Sequence, residues 1–227
     1  MAYPTTLVDW IALIKSQLDI EDLTNAQLQT SFDLAQSKLN RELRSQWMLG
    51  NTSYAWVLAV NNIDLLTVVP DLNEIFAILI GSNTVVLEGL SIFEYYQYAS
   101  TSNPTNVNLP ISAEFDDIPH FYSIFGSTLY IWPYPGDTAI VNIMYYKEIP
   151  LIGSVGSENS NVFSLKHPDL LLLAALVEAN TFIVEDERNP IFEAKYMSRL
   201  EAYNLSAINY RLGATPRARR IPDMGMR

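Results

Sequence analysis

The chain has 227 residues, 49% of them apolar, enough for one large domain or two small ones with a substantial core. Cysteine is absent and His120 and His167 are the only histidines, which excludes disulfides, thiolate metal sites, a cysteine nucleophile and a histidine-rich zinc site within one chain. The formal net charge of −11 describes a chain that repels nucleic acid rather than grips it.

That charge is unevenly placed. Residues 213–227 hold Arg217, Arg219, Arg220 and Arg227 against Asp223 alone, a net of +3. The rest of the chain holds 10 basic and 24 acidic residues, a net of −14. Such a tail either binds phosphate or an acidic protein surface, or is simply a solvated end. The start, MAYPTTLVDW, lacks a basic stretch followed by an apolar run, so no secretory signal is expected there. The absence of cysteine fits assembly in a reducing cytoplasm.

In chain order, Leu7, Trp10, Ile14 and Leu18 mark a first helical face. Thr24 or Asn25 caps a second helix, expected to run to about Ser45, with Leu28, Phe32, Ala35, Leu39 and Leu43 on its apolar side. Gly50, Asn51, Thr52 and Ser53 read as a breaker cluster, and the short apolar piece from Tyr54 to Val60 fits no element firmly. Leu65 to Val69, ending at Pro70, reads as a strand, as do Ile75 to Ile80 and Val85 to Leu87. Ser91 is placed to cap a short helix to Tyr98, and residues 99–109 read as a surface loop.

Phe121–Phe125 and Thr128–Trp132 flank Gly126-Ser127, which predicts a hairpin with a two-residue turn. After a turn at 133–137, residues 138–147 predict a third strand, giving a three-stranded meander. Residues 152–161, rich in Gly and Ser, read as a loop.

The run from Pro168 to Val184 organises the rest. Its eight consecutive apolar residues, Leu170 to Val177, are rich in Leu and Ala, so a helix is expected. His167 reads as its cap rather than as a ligand, with Pro168 and Asp169 in the first turn. A helix apolar on nearly every side must be surrounded, and Glu178 interrupts it well short of the roughly 18–20 apolar residues a bilayer requires. Asn189 and Pro190 then start a last helix with Phe192, Tyr196, Leu200, Tyr203, Ala207 and Tyr210 on its apolar face, and Gly213 is placed to end it.

The expected fold class is α+β: a four-helix bundle of two N-terminal and two C-terminal helices, an inserted antiparallel β lobe and an extended C-terminal tail. The expected organisation is N-terminal helices at 1–49, a β-rich insert at 50–160, C-terminal helices at 161–212 and a basic tail at 213–227.

No phosphate-binding glycine loop, dinucleotide fingerprint, zinc-protease helix, nucleophile elbow or EF-hand loop is present. The acidic groups Asp116-Asp117 and Glu185-Asp186-Glu187 could serve a glycosidase, but adjacent acids in a loop are usually a solvated face. His120 has no evident partner in sequence. No catalytic residue, metal ligand or cofactor is expected. The aromatics Tyr122, Tyr130, Trp132, Tyr145 and Tyr146, with Phe121, Phe125 and Tyr134 around them, could form a sugar- or base-stacking platform, a small sheet core or an oligomer interface. With an acidic body, packing or interface comes first.

One pattern covers most of the chain, about residues 6–210. Tyr122, Gly126, Leu129, Pro133, Pro135, Tyr145-Tyr146-Lys147, Pro150-Leu151, Asn161 and Pro168-Asp169-Leu170-Leu171, in that order and spacing, resemble the adaptor or head-to-tail connector proteins of tailed bacteriophages. The earlier segment Leu39-Asn40-Arg41-Glu42-Leu43-Arg44 is similar to one these proteins carry near their start, while residues 54–109 depart from the family. The resemblance implies a non-enzymatic virion protein, assembled in the host cytoplasm, forming a ring, commonly of twelve copies. The ring joins the portal to the tail or nozzle and lets DNA pass close to its wall without specific binding, and no membrane is involved. It also implies that the C-terminal tail docks on the portal, with Arg217, Arg219, Arg220, Ile221 and Arg227 as the candidates. The alternatives are a tail-associated glycan-binding or glycan-hydrolysing protein.

Overall fold

The computed structural model describes residues 3–19, 23–57, 62–81, 85–101, 119–133, 139–154, 159–183 and 188–211. The chain divides into two compact units. One comprises Met1–Met48 and Ile149–Arg227 and is helical among its described residues; the other, Leu49–Glu148, is rich in strands. The fold class is α+β, with seven α-helices and two sheets among the described residues.

In the helical unit, α1 (Leu7–Leu18) and α2 (Asn25–Glu42) come first, and α5 (Val162–Lys166), α6 (Pro168–Ala179) and α7 (Asn189–Arg211) follow the insertion. Thr24 closes a capping box with Gln27 at the start of α2, each satisfying a backbone N–H of the other. Helix α6 is apolar all round and packs against α1, α2, α5 and α7. Leu170, Leu171, Ala174, Ala175, Leu176, Val177 and Ala179 are buried. Each Leu among them contributes on the order of 1.5–3 kcal/mol relative to exposure. Trp10 of α1 lies over Phe32 of α2, ring centroids 5.7 Å apart.

The structure adds α5, which a sequence rich in Gly and Ser just before it conceals. Asn161 and Ser164 form its capping box. Helix α2 ends at Glu42 rather than near Ser45, because Leu43 is already extended and the Arg44 N–H is taken by Asn204 Oδ1 at 2.7 Å.

The strand-rich unit contains β1 (Leu49–Trp56), β2 (Asn62–Asp64), the single-turn helix α3 (Leu65–Val68), β3 (Leu72–Ile80), β4 (Val85–Val86), β5 (Glu88–Gly89), α4 (Ile92–Thr101), β6 (Phe121–Phe125), β7 (Thr128–Trp132) and β8 (Ala139–Lys147). One antiparallel sheet has the order β1-β8-β3-β4; the other has the order β2-β7-β6-β5, with β5 and β6 parallel. The two share a core in which Trp56, Ile78, Val141 and Ile143 meet Ile63, Leu129 and Ile131. The expected hairpin is present: Phe125 faces Thr128, Gly126 takes the left-handed φ of +60°, and Leu129 and Ile131 point inward. Ser91 also caps α4, with Glu94 completing the exchange.

Three expectations are corrected here. The meander does not form, because β8 leaves the hairpin for the other sheet and lies between β1 and β3. Strand β8 is nine residues long and buried along much of both faces, so it matches the eight- and nine-residue strands β1 and β3 rather than five-residue β7. Leu65–Val68 is helical, not extended, since Asp64 accepts from Leu66 N–H at 3.3 Å and Thr67 Oγ1 at 2.9 Å and so starts a helical turn. The breaker-like residues Gly50 to Ser53 lie inside β1. A Cβ on Gly50 would come within 2.8 Å of the Tyr145 ring, so glycine serves close cross-strand approach there.

Candidate interaction surfaces and the network behind them

The segment Leu39–Arg44 at the end of α2 is a junction inside the helical unit. Asn40 Nδ2 donates to Ile149 O at 2.9 Å and Asn40 Oδ1 accepts from Ile149 N–H at 2.8 Å. One turn earlier, Gln36 Oε1 accepts from Ile152 N–H and from Asn161 Nδ2, both at 2.8 Å. The returning chain after Glu148 is thus tied to α2 by side-chain amides that are themselves buried. Asn204 of α7 closes the end of α2: it donates from Nδ2 to Glu42 O at 3.0 Å while accepting from Arg44 N–H. Tyr196 Oη donates to Glu42 Oε2 at 2.7 Å, and burial together with that carboxylate pushes its phenol far above the usual range. Lys38 Nζ lies 4.9 Å from the centre of the Tyr196 ring and 3.1 Å from Glu178 Oε1.

Asp169, in the first turn of α6, accepts from Arg199 Nη1 at 2.8 Å and from Tyr203 Oη at 2.9 Å. The expectation that His167 caps α6 is corrected. Its backbone stands at the cap position, but its side chain makes no capping bond; Nε2 instead meets Ser45 Oγ at 2.8 Å, and the ring sits edge-on to Tyr203 at 4.6 Å. Burial holds this imidazole below its ordinary pKa, against a smaller opposing pull from Asp169.

The five aromatics singled out from sequence are not gathered into one platform. Tyr122 of β6 and Tyr130 and Trp132 of β7 lie in one sheet; Tyr145 and Tyr146 of β8 lie in the other and are both buried. Tyr145 Oη donates to Asp71 Oδ1 at 2.9 Å, and Tyr146 meets Phe76 edge-on at 6.2 Å. Tyr130 is instead joined by two residues that sequence reasoning did not single out, Tyr95 and Tyr96 of α4, at 5.5 and 6.5 Å. Their adjacency to Phe93 in SIFEYYQY was the available signal.

Apolar side chains also stand exposed. In the strand-rich unit these include Phe93 at 80%, Phe125 at 64% and Leu66 at 55%. On α7, Ile191, Leu205 and Ile208 are exposed on the side away from buried Tyr196, Leu200 and Ala207. The helix therefore carries two apolar faces, of which sequence reasoning named one. The tail candidates Arg217, Arg219, Arg220, Ile221 and Arg227 lie outside the described residues, as do Asp116, Asp117, Glu185, Asp186 and Glu187. Among the described residues, no group of three or more His, Asp or Glu is placed to hold a metal ion, and no helix is long and apolar enough to cross a membrane.

Charge separates with the units. Residues 49–148 contain ten acidic residues and one basic residue, Lys147, a net of −9. The helical unit, with its tail, holds 13 basic and 15 acidic residues.

A family model described as SU10 adaptor protein matches residues 5–220, which spans both units and the start of the basic tail. The chain belongs to the SU10 adaptor protein family. This is a family of structural phage adaptors, so the adaptor's working features are surfaces that meet other phage head and tail proteins. None of the curated proteins compared with the chain matches it. Five of the residues that carried the resemblance in sequence, Asn40, Glu42, Arg44, Asn161 and Asp169, take part in the hydrogen bonds of this adaptor's helical unit.

Proposed function

We propose that the chain is a subunit of a head-to-tail ring, most simply of twelve copies, that joins the portal to the tail or nozzle and leaves a passage for DNA. The observation that carries this reading is the family match over residues 5–220. The separation of charge supports it: a basic C-terminal tail can reach an acidic cleft on the portal while a strongly acidic unit lines or borders the passage without gripping DNA. The role is structural and non-enzymatic. It is exercised in the virion, after assembly in the host cytoplasm. Helices α1, α2, α6 and α7 act as one bundle, from which residues 213–227 extend, and Arg217, Arg219, Arg220, Ile221 and Arg227 supply the portal contact. The aromatic residues Tyr122, Tyr130 and Trp132 belong to the surfaces offered to neighbouring subunits.

The test is to image this protein mixed with the portal from the same genome and classify the particles for rotational symmetry. A ring of added density that disappears when the chain is truncated after Leu212 is the expected result. A folded protein that adds no density to the portal refutes the reading, and a ring that survives the truncation refutes the role of the tail.

A further inference from the structure

A cavity of about 170 Å³ opens in the helical unit, between the short turn that follows α2, the junction of α5 with α6 and the C-terminal half of α7. Ser45 and Gln46 line one side, Lys166 and His167 a second and Ser206 a third. It has room for about five water molecules at roughly 30 Å³ each, and is smaller than the ~300–1,000 Å³ of pockets that take drug-sized ligands. A group the size of one side chain fits it; a nucleotide does not.

His167 gives the cavity an unmet need. It is 5% exposed, and its Nδ1 is buried without a hydrogen-bond partner. Its other nitrogen, Nε2, lies 2.8 Å from Ser45 Oγ. That oxygen accepts from Trp47 N–H at 3.4 Å, so its own proton goes to Nε2 and the ring proton stands on Nδ1. Burial keeps the imidazole below its ordinary pKa, and near neutral pH the ring carries that one proton. A buried donor with no acceptor is costly, and a group that accepts from it removes the cost.

Lys166 supplies the charge. Its Nζ stands 4.2 Å from the centre of the Trp47 ring, which holds the ammonium at the cavity wall. Among the described residues no carboxylate lines the cavity. Asp169 acts on His167 through space, but its oxygens are engaged, Oδ1 by Tyr203 and Oδ2 by Arg199.

We propose that this cavity binds a carboxylate, held by the Lys166 ammonium and the Nδ1–H of His167. One cation with neutral donors matches a single negative charge, whereas a phosphate dianion would be left half-compensated. The carboxylate belongs either to an Asp or Glu side chain of a protein docking on this face or to a free small acid. This inference does not rest on ring formation or on the role of the tail.

The test follows the imidazole nitrogens of the full chain by NMR, where His120 and His167 are the only histidines and His120 serves as the reference. Acetate, titrated against chloride at constant ionic strength, should shift the His167 ring signals saturably and leave those of His120 in place. Lys166 is exposed, so Lys166→Met should keep the circular dichroism spectrum and weaken the acetate response at least tenfold. The tripeptide Ala-Glu-Ala, blocked at both ends, should act as acetate does, and Ala-Gln-Ala should be silent. Saturation at lower concentration by the tripeptide assigns the carboxylate to a docking protein; the reverse order assigns it to a free small acid. The proposal is overturned by the absence of any saturable shift, which leaves the cavity to water alone, by an equal shift with chloride, or by an undiminished response in Lys166→Met.

Discussion

Asn40 pairs with both backbone polar groups of Ile149, donating to its carbonyl at 2.9 Å and accepting from its N–H at 2.8 Å. All of these atoms are buried. Replacing Asn40 by Leu keeps the branch at Cγ but leaves an N–H and a C=O of the re-entering chain unpaired. Each unpaired buried group costs about 1–3 kcal/mol, so Asn40→Leu should lower the unfolding free energy by about 2–6 kcal/mol. Urea unfolding of the full chain followed by circular dichroism at a helical wavelength would measure it. A loss within about 0.5 kcal/mol, the usual range of a neutral surface change, would mean that the pair carries no structural weight.

Gly50 and Tyr145 are cross-strand partners, and a Cβ at Gly50 would lie 2.6 Å from Lys147 Cε and 2.8 Å from Tyr145 Cζ. The lysine end can move, but the Tyr145 ring is buried and its hydroxyl is held by Asp71. Gly50→Val should therefore cost about 1–3 kcal/mol, typical of overpacking. The double variant Gly50→Val, Tyr145→Ala should lose less than the sum of the two single changes in a thermal melt. Simple additivity would show that the ring is not what demands glycine.

His167 sets a pH dependence. Burial lowers its pKa from the ordinary value of about 6.5, so the unfolded chain binds a proton more readily than the folded one. The stability this group supports is present above about pH 6.5 and falls as pH drops from there towards the lower, folded-state value. The acid and base groups around it are Lys166 and Asp169 on either side in sequence and Tyr203 against its ring. The drop in Tm between pH 7.5 and pH 5.5 should be smaller in His167→Gln than in the unaltered chain. An identical drop in the two would assign the sensitivity to other groups.

Asp169 holds two partners of unequal weight. Arg199 is 60% exposed, so its ion pair is screened and worth under about 1 kcal/mol. Tyr203 Oη is more sheltered, and Asp169 also faces the positive end of the α6 dipole. Arg199→Ala should change stability by less than about 0.5 kcal/mol, and Asp169→Ala by about 1–2 kcal/mol. Equal losses in denaturant titrations would give the ion pair a larger share than its exposure allows.

Much of this protein was legible where one physical cause acts over a short stretch. The 3.6-residue spacing of Leu28, Phe32, Ala35 and Leu39 gives α2 directly, and the all-apolar run Leu170–Val177 gives a helix that has to be enclosed. Gly126-Ser127 between alternating strands gives the hairpin, and the composition of residues 213–227 alone makes that stretch basic. The relationship to the adaptors was also legible from the order and spacing of residues such as Tyr145-Tyr146-Lys147 and Pro168-Asp169-Leu170-Leu171, and the family match covers residues 5–220.

What tertiary structure alone decided is which distant elements meet. Strand β8 follows the hairpin in sequence, yet pairs with β1 and β3, because a long strand buried on both faces needs long neighbours on both edges. Asn40, Gln36 and Asn161 look like ordinary polar residues of helix surface and loop. Only the fold brings the backbone of Ile149 and Ile152 against them, so that buried polar groups find partners more than a hundred residues away. The assignment of residues 49–148, with their concentration of negative charge, to one unit likewise depends on where the chain leaves and re-enters the helical unit. No local pattern of residues encodes that choice, since it is made by non-local pairing and burial.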